Sequence, residues 1–119
     1  MAAILIAEDD EQMRGFLAAA LRRAGHYVEA VENGVTAMAA LEETSFDLLL
    51  ADVVMPGMDG IELARLAGQR RPEIKVMFIT GFAAVALKSS TLGPGQPRVL
   101  AKPVHLRELI RAVDELLAE

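Results

Sequence analysis

The stretch DLLLADVVMPGMDG, residues 47–60, runs through three leucines to a carboxylate and then breaks into a proline–glycine turn. Leu48 to Ala51, bounded by turn residues, has the length and composition of a strand buried on both faces. Such a strand has no structural need to end in Asp52, because desolvating an unpaired carboxylate is costly. Either Asp52 caps the strand end in water, or something waits beside it.

Outward from this stretch, short apolar runs alternate with amphipathic ones. Ile4 to Ala7 reads as a first strand, and Met13, Phe16, Leu17, Ala20, Leu21 and Ala24 then mark one helix face. Gly25 stops that helix. Tyr27 to Val31 reads as a strand and Val35 to Glu42 as a helix opened by Asn33-Gly34. After the third strand, Asp59 is a good N-cap for a helix over residues 60–70, which Pro72 ends. Lys75 to Ile79 and Val99 to Ala101 read as the last two strands, and Leu106, Leu109, Ile110, Val113, Leu116 and Leu117 as a C-terminal helix. Strands alternating with helices predict a parallel sheet covered on both faces.

Composition narrows the class. The 119 residues suit one domain over residues 1–119, and half of them are apolar. A net charge of -5 argues against nucleic-acid binding. There is no cysteine, which excludes disulfides and thiolate chemistry. The amino terminus has neither a signal peptide nor a membrane span, so the cytoplasm is the expected location.

In open parallel sheets, ligands bind outside the carboxyl ends of the strands. Here those ends carry Glu8-Asp9-Asp10, Asp52, Thr80-Gly81 and Lys102-Pro103. Clustered carboxylates raise one another's pKa unless a cation neutralises them. Mg2+ suits, since it takes one or two carboxylates, several waters and a phosphate oxygen. Lysine adds a compact charge for a phosphoryl oxygen and threonine a hydroxyl donor. With a carboxylate nucleophile, the set fits uptake of a phosphoryl group as an aspartyl phosphate on Asp52.

The blocks ILIAEDD, LADVVMPGMDG, FIT and AKP resemble, in order and spacing along the whole chain, the receiver domain of bacterial two-component response regulators. The resemblance implies a flavodoxin-like (βα)5 doubly wound sheet of strand order 2-1-3-4-5 with five helices. Residue by residue, it implies Asp52 as phosphoacceptor, Asp9 as direct Mg2+ ligand and Glu8 as the second acidic position. It further implies the Val54 backbone carbonyl in the metal shell, Thr80 as the switch hydroxyl, and Lys102 before a cis peptide to Pro103. The implied phosphodonor is a histidine kinase or histidine phosphotransfer protein. No output domain is read in the chain, so its effect is expected through a partner protein and not through catalysis on other molecules. DVVMP, DGIELAR, FITGFAAVAL and Val99 resemble stand-alone receivers that act as adaptors of the ClpXP protease, which makes ClpX an expected partner. The alternative is a phosphorelay intermediate or phosphate sink.

An aspartate-based phosphohydrolase is disfavoured because such enzymes need a second acid where Val54 stands. A flavin site is disfavoured because no phosphate-binding loop follows strand one. Receivers usually carry Tyr or Phe at the position of Val99, so a coupled threonine–aromatic switch is not expected. Phe82 to Leu87 is uniformly apolar and the residues after it are rich in Gly and Pro, predicting a short helix and a mobile loop before strand five. Asp10 and Glu11 read as solvated acids of a first helical turn. Met55 and Met58 read as loop packing, His105 as the start of the last helix, and His26 is left unassigned.

Overall fold

The computed structural model describes residues 2–81 and 98–119. Its elements in chain order are β1 (Ala3–Ala7), α1 (Glu11–Arg23), β2 (Tyr27–Val31), α2 (Gly34–Glu43), β3 (Leu48–Asp52), α3 (Gly60–Arg70), β4 (Lys75–Thr80), β5 (Arg98–Ala101) and α4 (Leu106–Ala118). The five strands pair in parallel in the order β2-β1-β3-β4-β5. The flavodoxin-like arrangement implied by the resemblance is therefore present. The predicted helix and loop that include Phe82 to Leu87 lie outside the described residues.

Side-chain alternation explains why the decisive stretch is apolar at every position. Leu48 and Leu50 join Ile4, Ile6, Met77 and Ile79 in a core under α1 and α4. Leu49 and Ala51 join Leu5, Ala7 and Phe78 in a second core under α2 and α3. A polar residue anywhere from 48 to 51 would enter one of these two cores. The strand itself runs one residue further than predicted, to Asp52, and β4 likewise extends to Thr80. Both polar residues thus belong to the ordered sheet and inherit its rigidity.

The helix ends follow local chemistry. Asp10, Asn33 and Asp59 each cap a helix by accepting from the backbone N–H three residues on. Asp10 is thereby a structural cap and not simply a solvated acid. At the far end of α1, Gly25 has φ +100°, and its N–H donates to Arg22 O while that of His26 donates to Leu21 O. This is the left-handed closure that glycine permits. His105 starts α4 without a side-chain cap bond, and His26 Nδ1 accepts from the Ala2 N–H.

Gly60 fits against the phosphoacceptor candidate's own backbone. A Cβ at Gly60 would lie 2.2 Å from the Asp52 carbonyl oxygen and 2.9 Å from Val53 Cα. Neither neighbour can swing away, because Val53 N–H donates to Ile79 O and Gly60 N–H to Val53 O. Gly60→Ala is expected to lower unfolding free energy by about 1–3 kcal/mol, the usual range for overpacking. Gly68→Ala, in the same helix with nothing within 4 Å of the added carbon, is expected to be neutral or mildly stabilising. Paired urea denaturation curves check both; equal stability of the two variants would contradict the close approach.

Candidate functional site

The carboxyl ends of β1, β3, β4 and β5 form one rim. Asp52 ends β3 and is only 5% exposed, while Glu8, directly after β1, is 1% exposed. Carboxylate oxygens of Glu8, Asp9 and Asp52 lie within 4.8 Å of one another. Lys102, directly after β5, donates from Nζ to Asp52 Oδ2 at 2.9 Å and lies 3.5 Å from Glu8 Oε1. The Lys102 backbone is itself anchored, its N–H donating to Thr80 O at 2.9 Å, and its peptide bond to Pro103 is cis.

Both oxygens of Asp52 are engaged, since the Val54 N–H donates to Oδ1 at 3.1 Å. Val54 therefore touches the site through its backbone, although the residue as a whole is 59% exposed. Thr80 is fully buried, and its hydroxyl oxygen has no hydrogen-bond partner among the described residues. Glu8 Oε1 is likewise buried without a hydrogen bond, although the Lys102 ammonium stands near it. Buried polar atoms are seldom left unpaired, so two of them at one rim mark a place shaped for something further.

Electrostatics points the same way. Burial pushes the Glu8 carboxyl up from 4.5 to about 7, against the opposing Asp10 N–H bond, and the Asp52 charge adds to the rise. For Lys102, burial works downward, but the Asp52 hydrogen bond and the charges of both acids outweigh it and raise the pKa above 10.5. Three carboxyl groups face one ammonium, Glu8 and Asp52 buried and Asp9 exposed. The donor set is all oxygen, which suits a hard divalent cation. Glu8, Asp9 and Asp52 would hold such an ion, Glu8 Oε1 being ion-paired with Lys102 but without a hydrogen bond.

Side chains of Glu8, Asp9, Asp52 and Lys102 meet at this rim, and Thr80 ends the adjoining strand β4. Val99 sits half-buried in β5, paired with Phe78 of β4. A larger groove, lined by His26, Phe46, Asp47, Lys75 and Leu117 among others, opens at the amino ends of the strands and is remote from the carboxylates. One participant escaped the reading of the sequence. Arg14, in α1, donates from Nη1 to the Glu8 carbonyl oxygen at 2.9 Å. The available signal was its position, because a cation early in a helix opposes the helix dipole.

Among the described residues, no helix is long and apolar enough to cross a membrane. Residues 4–114 match the profile of the response regulator receiver domain. The chain is 52% identical over 117 residues to the response regulator receiver protein CpdR of Brucella abortus, covering 98% of each. It is 36% identical to the transcriptional regulatory protein TcrA of Mycobacterium tuberculosis, matching with 89% of its own length but spanning only 42% of that longer protein. A crystal structure of a response regulator receiver protein from Sinorhizobium medicae superposes with a TM-score of 0.87 at 30% identity, covering 98% of this chain and 94% of the other. A five-stranded sheet with this order, an acidic rim and a profile match over nearly all residues converge on one assignment: the chain belongs to the response regulator receiver domain family.

Proposed function

We propose that the protein is a stand-alone receiver that takes a phosphoryl group onto Asp52 and thereby controls binding to a partner protein. The observation that carries this reading is the contact of Lys102 Nζ with Asp52 Oδ2, at 2.9 Å, beside the Glu8 and Asp9 carboxylates. In this reading a carboxylate oxygen of Asp52 attacks the phosphorus of a phosphohistidine, the P–N bond breaks, and the imidazole nitrogen keeps the electron pair. The Lys102 ammonium, already in contact with the acceptor, offsets charge on the phosphoryl oxygens. The Thr80 hydroxyl, buried and free to donate, is a second ligand for those oxygens. Glu8, Asp9, Asp52 and the Val54 carbonyl would hold Mg2+, which when bound would supply the missing positive charge.

Acquiring the phosphoryl group replaces a singly charged carboxylate with an acyl phosphate of about two charges, a net gain of about one negative charge at this rim together with new acceptor oxygens, enough to bias a two-state surface. In this reading the protein is a cytoplasmic adaptor, with ClpX of the ClpXP protease as the partner and a histidine kinase or phosphotransfer protein as donor. Near full-length likeness to a response regulator receiver protein supports the signalling role. The protein acts only on its own Asp52 and is no enzyme toward other substrates.

The test is incubation with Mg2+ and a small acyl phosphate, followed by intact mass and fragmentation. The expected result is one acid-labile phosphoryl adduct on the peptide holding Asp52, absent when the ion is chelated. An adduct elsewhere, or none, refutes the reading. Return of the group to a histidine protein, with no partner captured in either state, would move the assignment to a relay intermediate.

A further inference from the structure

The segment between β1 and α1 supplies two of the three carboxylates, yet it contains the least supported of them. Asp9 is exposed, and among the described residues its carboxylate accepts no hydrogen bond. Its position therefore depends on the backbone that carries it. On one side, the Glu8 N–H donates to Val31 O at 3.0 Å, tying the segment to the end of β2. On the other, Asp10 caps α1 through the Met13 N–H at 2.7 Å, and its own N–H donates to Glu8 Oε2 at 3.1 Å.

The remaining tie is Arg14. Its guanidinium reaches back from α1, past the cap, to the Glu8 carbonyl. The bond closes residues 8 to 14 into a ring that includes Asp9 and Asp10. A charged donor makes a stronger bond than a neutral one, and this one is half-buried. The cation also stands on the same rim as the three carboxylates, where an early-helix arginine otherwise works against the dipole. Helix α1 carries a matched example at its other end. Arg22 Nη2 donates to Val28 O at 3.0 Å, also spanning six residues, with no carboxylate cluster attached.

We infer that Arg14 is a positioning residue for the ion site: by holding the Glu8 carbonyl it keeps the Glu8 and Asp9 carboxylates at the spacing at which they meet Asp52. This rests on the reading of the rim as a divalent-cation site. Groups that orient metal ligands without touching the metal typically change metal affinity by about 10- to 100-fold when removed.

The test titrates Mg2+ into the intact protein by calorimetry, at a pH above 7.5, for wild type, Arg14→Met, Arg14→Lys and Arg22→Met. Arg14→Met keeps the aliphatic stem without a donor and is expected to bind Mg2+ about tenfold or more weakly. Arg14→Lys, which restores a charged donor, is expected to recover most of that loss, and Arg22→Met to bind as wild type. In chelator, amide hydrogen exchange at Asp10 is expected to quicken in Arg14→Met alone, reporting the loosened segment without any ion. Should Arg14→Met not fold, Arg14→Lys and Arg14→Gln take its place, with binding ranked wild type, Lys, Gln. Wild-type Mg2+ affinity in the donor-less variant overturns the inference and leaves the ion site standing; so does equal weakening by Arg22→Met. Absence of Mg2+ binding in the wild type removes the parent reading and this one together.

Discussion

Asp52→Ala is expected to abolish acid-labile phosphoryl uptake, and Lys102→Met to slow it by about 100- to 1,000-fold while leaving the acceptor in place. The two side chains share one contact, but they contribute to different stages. Asp52 supplies the nucleophile, the carboxylate that accepts the Lys102 hydrogen bond. Lys102 supplies fixed positive charge, which matters most as the transferred oxygens gain negative charge. Its placement is costly to reproduce from solvent: the backbone N–H is tied to Thr80 O, and Nζ is held between two acids.

Lys102→Met also leaves Glu8 and Asp52 facing each other without a cation, so unfolding free energy at neutral pH is expected to fall by about 2 kcal/mol, less than for a fully buried pair because Lys102 is partly hydrated. Because Lys102 titrates above its ordinary 10.5, this contribution is complete below that pH and is lost as pH rises through the raised value. Single-turnover uptake from an acyl phosphate, with denaturation curves alongside, measures both effects. Uptake by Lys102→Met at the wild-type rate would contradict the role assigned to the ammonium.

Much of this site was legible because strand direction and chemistry agree. Once Leu48 to Ala51 is read as a strand buried on both faces, the rule for open parallel sheets puts Asp52 at the binding rim. The same rule brings Lys102 to it across fifty residues of chain. Leu48 and Leu50 face one core and Leu49 and Ala51 the other, so the unbroken apolar run marks a strand buried on both faces, and Asp52 is the first polar residue at its carboxyl end. What stayed hidden depends on three-dimensional reach. Arg14 looks like any surface arginine until its side chain is seen to fold back over the cap. Gly60 looks like the first residue of a helix until its Cα is seen against the Asp52 carbonyl. Asp10 reads as a solvated acid because one-dimensional charge patterns do not separate an N-cap from an acid of the first turn. The unpaired hydroxyl of Thr80 is likewise invisible in sequence, where threonine is an ordinary strand residue.

Removing divalent ions is expected to make the protein less stable as pH rises from about 5 to about 7.5, with Glu8 as the cause. The sign follows from its raised pKa. Between 4.5, the value without burial, and about 7, the folded protein holds a proton on Glu8 that the unfolded chain has released. The folded state then binds more protons than the unfolded one, so stability declines through that interval and levels off above it. A rise from 4.5 to about 7 corresponds to a loss of about 3 kcal/mol. Other acids titrate over the lower part of the range with slopes of their own, so the quantity to measure is wild type minus Glu8→Gln in chelator. That difference is expected to fall across the interval. With millimolar Mg2+ present, the charged form of Glu8 becomes the useful one, and the decline is expected to flatten or reverse as the ion binds. At 100 times its dissociation constant a ligand adds about 2.7 kcal/mol, which is close to the burden it would relieve. A wild-type minus Glu8→Gln difference that is flat or rising from pH 5 to 7.5 in chelator would show that Glu8 is ionised there in the folded protein. The burial-driven rise assigned to the Glu8 carboxyl, and the pH dependence drawn from it, would then fail.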